Sequence, residues 1–264
     1  MHNFDFVKPA NLADAIKAMG AEEAQAISGG QTLIPALKAR LAAPAVLVSL
    51  TGVAEMRGVC MGEGGLSVGG ATTHAEVARE AAAHYPALAA LAGQIGDPAV
   101  RNRGTIGGSL ANNDPSACYP AAVLASGATI VTDRREIAAD DFFEGMFTTA
   151  LHDGEIITSV RFPIPKAAAY AKFHQPASRF ALTGVFVARF DDRVRVGVTG
   201  ASEGGVFRWS EAETALAGDF STAAVEALSA PSANGMIGDL HGTPEYRAHL
   251  VKVMTKRAVA AARG

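Results

Sequence analysis

Two glycine-rich segments, Ser28-Gly29-Gly30-Gln31-Thr32 and Thr105-Ile106-Gly107-Gly108-Ser109, stand 77 positions apart and carry the clearest chemistry in the chain. Paired glycines have no Cβ, so their backbone N–H groups can close around an anion. The first segment runs straight into a helical pattern, which would set those groups at a helix N-terminus, where the macrodipole attracts phosphate. Two such loops suit one long ligand with a diphosphate at its centre, which is a dinucleotide. A double glycine between strand and helix also reads as a plain turn. Neither segment has a lysine in Walker spacing or a G-x-G-x-x-G order, so the P-loop and Rossmann fingerprints both fail.

The second segment is the richer one. Residues 104–114, after Arg103, hold three glycines, the hydroxyls of Thr105 and Ser109, and the amides of Asn112 and Asn113. Such a stretch serves a polar ligand better than it fills a core, and ligand-positioning residues concentrate on loops. Other chemistry is sparse. Cys60 and Cys118 are the only cysteines, too few for an iron–sulfur cluster, which takes about four ligands. The seven histidines form no H-x-H or H-E-x-x-H spacing, so no metal is expected. His74 reads as structural, and only Tyr170 and His174 stand out as candidate bases.

The elements that must position these residues follow from periodicity. In residues 1–57, positions 9–19 put Leu12, Ala15, Ile16 and Met19 on a 3.6 period, with Asn11 as N-cap and Gly20 at C′. Residues 24–27 and 45–50 read as short strands, and 33–41 as a helix with Pro35 harmless in its first turn. The result is a small β-α-β-like unit with the first glycine segment at its helix entrance. In residues 58–166, strands at 59–61 and 66–68 form a hairpin, and Thr73 caps a helix with Glu76 three residues on. Residues 87–94 and 121–126 read as helices, 96–104 as a loop, and 128–131 and 155–162 as strands. In residues 167–264, strands at 170–173, 185–190 and 194–198 form an antiparallel sheet. Helices follow at 222–228 and 245–262, the last with Leu250, Val253, Met254, Arg257 and Ala261 on one face.

Bulk composition sets limits. At 264 residues the chain is long for one core, so three units are expected, 1–57, 58–166 and 167–264. With 49% hydrophobic and 19% charged residues it is globular, not disordered. A net charge of −3 gives no basic footprint for nucleic acid or anionic membrane. No run approaches the ~20 apolar residues of a membrane span. The N-terminus lacks the basic and apolar regions of an export signal, so a cytoplasmic protein is expected.

Ser28-Gly-Gly-Gln-Thr-Leu-Ile-Pro35, Arg103-Gly-Thr-Ile-Gly-Gly-Ser109 and Asn113-Asp-Pro115 together resemble the FAD-binding medium subunit of molybdenum hydroxylases. That family includes the carbon monoxide dehydrogenase medium chain and the xanthine dehydrogenase FAD domain. Phe4, Thr72-Thr73-His74, Glu155-Ile156-Ile157, Lys172 and the stretch Gly238–Arg247 extend the resemblance along the whole chain. It implies an α+β protein: a two-subdomain FAD-binding fold of the vanillyl-alcohol-oxidase-like (PCMH) type, then a C-terminal antiparallel sheet with helices. It implies that Ser28, Gly29, Gly30, Gln31, Thr32 and Leu33, with Thr105, Ile106, Gly107, Gly108 and Ser109, wrap the FAD diphosphate and ribityl chain. Ile95 would lie near the ring system or adenine, with Asp114 among the contacts and Ile157 on the adenine or isoalloxazine side. Lys172 would approach the flavin, where a cation favours the reduced form; the residue alone also reads as an ordinary strand lysine.

Two positions depart from the family pattern. Cys118, another expected contact, replaces an acidic residue that would accept from a ribose or ribityl hydroxyl, which a thiol does poorly. Arg179-Phe180-Ala181 lacks the acidic residue usual before the aromatic. The resemblance implies an electron-transfer subunit with no catalytic acid–base residues of its own. Substrate oxidation would take place at molybdopterin on a large partner subunit, and [2Fe–2S] clusters on a small one would relay electrons to FAD. The expected assembly is a dimer of heterotrimers. A stand-alone flavin oxidase or dehydrogenase, and a non-enzymatic flavin-binding assembly protein, are the rival readings.

Overall fold

The computed structural model describes residues 1–263 and builds three main sheets in chain order. The first is parallel, with β1 (Asp5–Val7), β2 (Ala24–Ile27) and β3 (Val46–Ser49) in the order β1-β3-β2. Helices α1 (Leu12–Met19) and α2 (Leu33–Lys38) make its crossovers. Asn11 caps α1 by accepting from the Asp14 N–H at 2.8 Å, so the helix starts at Leu12 and not at position 9. Gly20 ends it at φ −78°, a conformation open to any residue, so the glycine is not needed there for a left-handed cap. β1 escaped the sequence reading because three exposed residues give no usable alternation.

The second sheet is antiparallel: β4 (Val59–Gly62), β5 (Gly65–Gly69), β6 (Thr129–Thr132), β7 (Glu136–Ala138) and β10 (Ile157–Phe162), in the order β4-β5-β10-β6-β7. Between its strands lie α3 (His74–Glu80), α4 (Pro86–Gly93), α5 (Pro98–Arg101), α6 (Ile106–Asn112), α7 (Tyr119–Ser126) and α8 (Ala139–Phe142). A two-stranded ribbon of β8 (Phe143–Gly145) and β9 (Thr148–Thr149) completes it. Thr73 and Glu76 form a reciprocal capping box on α3, as their spacing predicts. Every side chain of α7 is buried, which is why the sequence showed an apolar block without a helical stripe there.

The third sheet runs β11 (Ala167–His174), β12 (Ala181–Arg189), β13 (Val194–Thr199) and β14 (Phe207–Arg208), each antiparallel to the next. It is covered by α7 on one face and by α11 (Pro244–Ala262) on the other, so β12 is buried through Ala188 and reads as a continuous apolar run. Helix α10 (Thr222–Glu226) lies beside α11, and α9 (Ser210–Gly218) packs on β13 and α10. α9 was not foreseen; its inward Glu213 breaks the apolar period because it binds Arg208 and the Val196 N–H. The buried stripe of α11 is Ala248, Leu250, Val251, Met254, Ala258 and Val259. The sequence reading placed Arg257 and Ala261 on that face, yet both are exposed, a phase error of about one residue.

One buried charge ties the second sheet together. Glu155 accepts from Thr132 Oγ1 at 2.7 Å, the His152 N–H at 2.8 Å, and Arg135 Nε and Nη2 at 3.0 Å each. The Arg135 hydrogen bonds, ahead of the opposing cost of burial, hold its carboxyl down at about 2. Such a group stabilises the fold above its unfolded value of 4.5 and loses that contribution as pH falls toward 2. Glu155→Gln is expected to cost about 2 kcal/mol at neutral pH and to flatten stability between pH 5 and about 3, measured by urea unfolding across that range.

Candidate functional site

The two glycine segments meet in space. Thr105 Oγ1 donates to Ser28 Oγ at 3.0 Å, joining the first sheet's loop to the second sheet's helix. Gly29 packs directly on the Arg103–Gly104 backbone, and a Cβ there would overlap the Arg103 carbonyl. Gly30 has φ +69°, the left-handed conformation that glycine adopts at low cost. Among the described residues no group accepts from the backbone N–H of Gly29, Gly30, Gln31 or Thr32. Four consecutive free amides at the entrance to α2 form a donor-lined turn of the kind that holds an anionic oxygen. Leu33 begins α2 and is half-buried beside them.

The second segment is used differently from the sequence expectation of a second open amide loop. It is the first turn of α6, with Thr105 as N-cap. The Ile106 N–H donates to Thr72 O at 3.2 Å, Gly107 to Gly70 O at 2.9 Å, and Gly108 to Thr105 Oγ1 at 3.2 Å. Those amides are committed to the protein. Gly107 is glycine because a Cβ would stand 2.6 Å from Gly70 O. Exposed Gly108 and half-buried Ser109 instead present a smooth wall next to Ser28.

A chain of contacts leads inward from this junction. Gly104 lies against His74, whose Nε2 would be 2.5 Å from a Cβ at that position. The His74 ring packs against Tyr119 in a tilted arrangement, centroids 5.3 Å apart, and Tyr119 follows Cys118. Lys172 Nζ donates to Gln94 O at 2.7 Å and Arg179 O at 3.0 Å, and lies 3.5 Å from Cys118 Sγ. The lysine is 8% exposed, which rules out an ordinary solvent-facing strand lysine. Burial, then the charge of Arg101, brings His74 down to about 4, so it is neutral at physiological pH. Burial pushes the Tyr119 and Tyr170 hydroxyls well up, and both stay protonated.

Among the described residues five buried side-chain polar atoms lack a partner, and three of them are here: His74 Nδ1, Tyr119 OH and Tyr170 OH. Buried polar groups are normally paired, so such a concentration points to a polar ligand. Sequence reasoning missed Tyr119 and took His74 as structural; the adjacency of Thr72-Thr73-His74 to Gly104 cannot be seen without the fold. Half-buried Ile95 sits at the same rim, its carbonyl held by Arg101 at 3.1 Å. Asp114 is half-buried and accepts from the Ser116 N–H at 2.8 Å in a local turn. Ile157 lies in the main core.

A family model described as "FAD binding domain in molybdopterin dehydrogenase" matches residues 2–165, the span that contains both glycine segments. The chain belongs to this family. It is 35% identical to the nicotine 6-hydroxylase medium subunit of Paenarthrobacter nicotinovorans, covering 96% of this chain and 95% of that one. It is 32% identical to the carbon monoxide dehydrogenase medium chain of Afipia carboxidovorans, covering 97% and 96%. Its fold matches a chain of quinoline 2-oxidoreductase from Pseudomonas putida 86 with a TM-score of 0.87, at 29% identity over 99% of this chain and 98% of that one. The protein is therefore an FAD-binding oxidoreductase subunit of the molybdenum hydroxylase type.

The residues present fit FAD. The free amides of Gly29–Thr32 match a diphosphate, and the unpaired hydroxyls and imidazole nitrogen match the polar edges of a sugar or flavin ring. Within the two glycine segments Gly29 makes the tightest approach, because backbone opposes backbone. Gly29→Ala is expected to weaken FAD binding at least tenfold and to lower stability by about 1–3 kcal/mol, read by FAD fluorescence titration and thermal unfolding.

Proposed function

We propose that Ser28–Leu33 hold the FAD diphosphate, with Thr105–Ser109 as the wall that positions them. Ile95, Asp114, Cys118 and Lys172 belong to the flavin end of the same cleft. Ile157 contributes through the core beneath it. The observation that carries this reading is the run of four free amides at Gly29–Thr32, aligned by the Ser28–Thr105 hydrogen bond. The working units are 1–57 and 58–166, which form the cofactor cleft, and 167–264, which supplies Lys172 from β11.

FAD supplies the redox chemistry when bound. This chain's residues bind it, orient it and surround it with fixed charges and dipoles. No base is needed for that role. Tyr170 is a buried, firmly protonated phenol, while His174 is held below its ordinary value by burial, then by Lys172 and Arg179. The partners are a large molybdopterin-bearing subunit and a small [2Fe–2S] subunit, in a cytoplasmic dimer of heterotrimers. The names of the relatives as medium subunits support this division of labour. Among the described residues no helix is long and apolar enough to cross a membrane.

The test is who reduces the flavin. In the complete complex, the complex's own substrate should bleach the flavin absorbance within turnover. With this chain alone, dithionite should bleach it and candidate substrates should not. Substrate turnover by the chain alone would replace the subunit reading with that of a self-sufficient flavin enzyme.

A further inference from the structure

The surroundings of Lys172 are unusual for a buried cation. Its three partners are two backbone carbonyls and a thiol, and among the described residues no carboxylate oxygen lies within 4.0 Å of Nζ. Carbonyl dipoles and a weakly accepting sulfur solvate an ammonium, but they leave its net charge in place. Neighbouring charges have the same sign: Arg179 stands in the β11–β12 connection with its carbonyl on Nζ, and Arg101 reaches Ile95 O from α5. The lowered proton affinity of His174, due to burial first and then to Lys172 and Arg179, reports the same positive field. The one side chain in contact with Nζ is Cys118, a thiol with no formal negative charge to set against the ammonium.

We propose that Cys118 sets the preference of this site for negative charge: by leaving Lys172 uncompensated, it makes the protein hold reduced FAD more tightly than a carboxylate at the same position would. The inference rests on the placement of Lys172 at the flavin end of the cleft given above. The Tyr170 hydroxyl, buried next to Cys118 and with no nitrogen or oxygen partner, supports a pocket arranged for a group that the protein does not itself supply. Electrons taken up by FAD add negative charge, and an uncompensated ammonium stabilises that charge through a low-dielectric interior. A carboxylate at position 118 would cancel most of the effect. Cys118 thus acts as a positioning residue for charge and takes no part in bond making.

The experiment measures the flavin midpoint potential of the FAD-loaded full-length protein by dye-equilibrated spectroelectrochemical titration. Cys118→Asp is expected to reduce the preference for reduced over oxidised FAD about tenfold, a drop of about 30 mV for a two-electron couple. Cys118→Asn, similar in shape but uncharged, should stay close to wild type, and Lys172→Met should fall in the same direction as Cys118→Asp. Equal potentials for the Asp and Asn variants would overturn the proposal. If Cys118→Asp fails to fold or to retain FAD, Lys172→Met decides instead, and an unchanged potential there also overturns it. A wild-type protein that binds no FAD would overturn the cleft assignment itself, a separate and recognisable failure.

Discussion

The site depends on one close approach, Gly29 against the Arg103–Gly104 backbone. The first and second sheets come from different stretches of chain, and here they touch without side chains between them. A Cβ would push the loops apart, and the Ser28–Thr105 hydrogen bond would be lost with them. Because the contact is backbone on backbone, it is rigid in a way that side-chain packing is not. It fixes the direction in which the Gly29–Thr32 amides point. A binding site formed at a junction between subdomains needs this kind of locking, since neither subdomain alone defines the distance across the cleft.

The third sheet provides the other clamp. The Thr199 hydroxyl lies within hydrogen-bonding distance of the carbonyls of Pro115 and Ala117, and the Gly200 N–H donates to Pro115 O at 2.7 Å. The segment leading into α7 is thereby held on β13, which sets Cys118 opposite Lys172 on β11. Asn113, at φ +42°, completes the arrangement by donating from Nδ2 to the carbonyls of Gly145 and Thr148. The Asn113-Asp114-Pro115 motif therefore orders the loop between two sheets. Asp114 itself is engaged locally, its Oδ1 accepting from the Ser116 N–H.

Much of this was legible from residue types. The Thr73–Glu76 cap, the Asn11 cap, the 59–69 hairpin and the glycine segments depend on local rules that hold inside the fold. The elements that escaped are those whose pattern is set by tertiary partners: β1, too short to alternate, and α9, whose buried Glu213 is satisfied from β13 and β14. The second glycine segment shows the limit most clearly. Three glycines suggest open amides, yet Gly107 serves a close contact with Gly70, and the amides of residues 106–108 are taken by Thr72, Gly70 and Thr105. Glycine permits both uses, and only the neighbour 37 positions earlier in the chain decides between them.

On the proposed reading, the contrast between the two ends of the site would let one chain hold a dinucleotide firmly and still tune its chemistry. At the Gly29–Thr32 end the donors are backbone amides, which carry no titratable group and no rotamer freedom. At the inner end the polar atoms belong to side chains: a neutral imidazole, two phenols, a thiol and one ammonium. The imidazole is neutral at physiological pH and both phenols stay protonated, so the field at that end is positive, from Lys172 with Arg101 and Arg179 near it. Substitutions at the first end alter whether the ligand is held. Under the proposal made above, those at the second end would alter which charge state is held, with Cys118 as the position that separates the two properties.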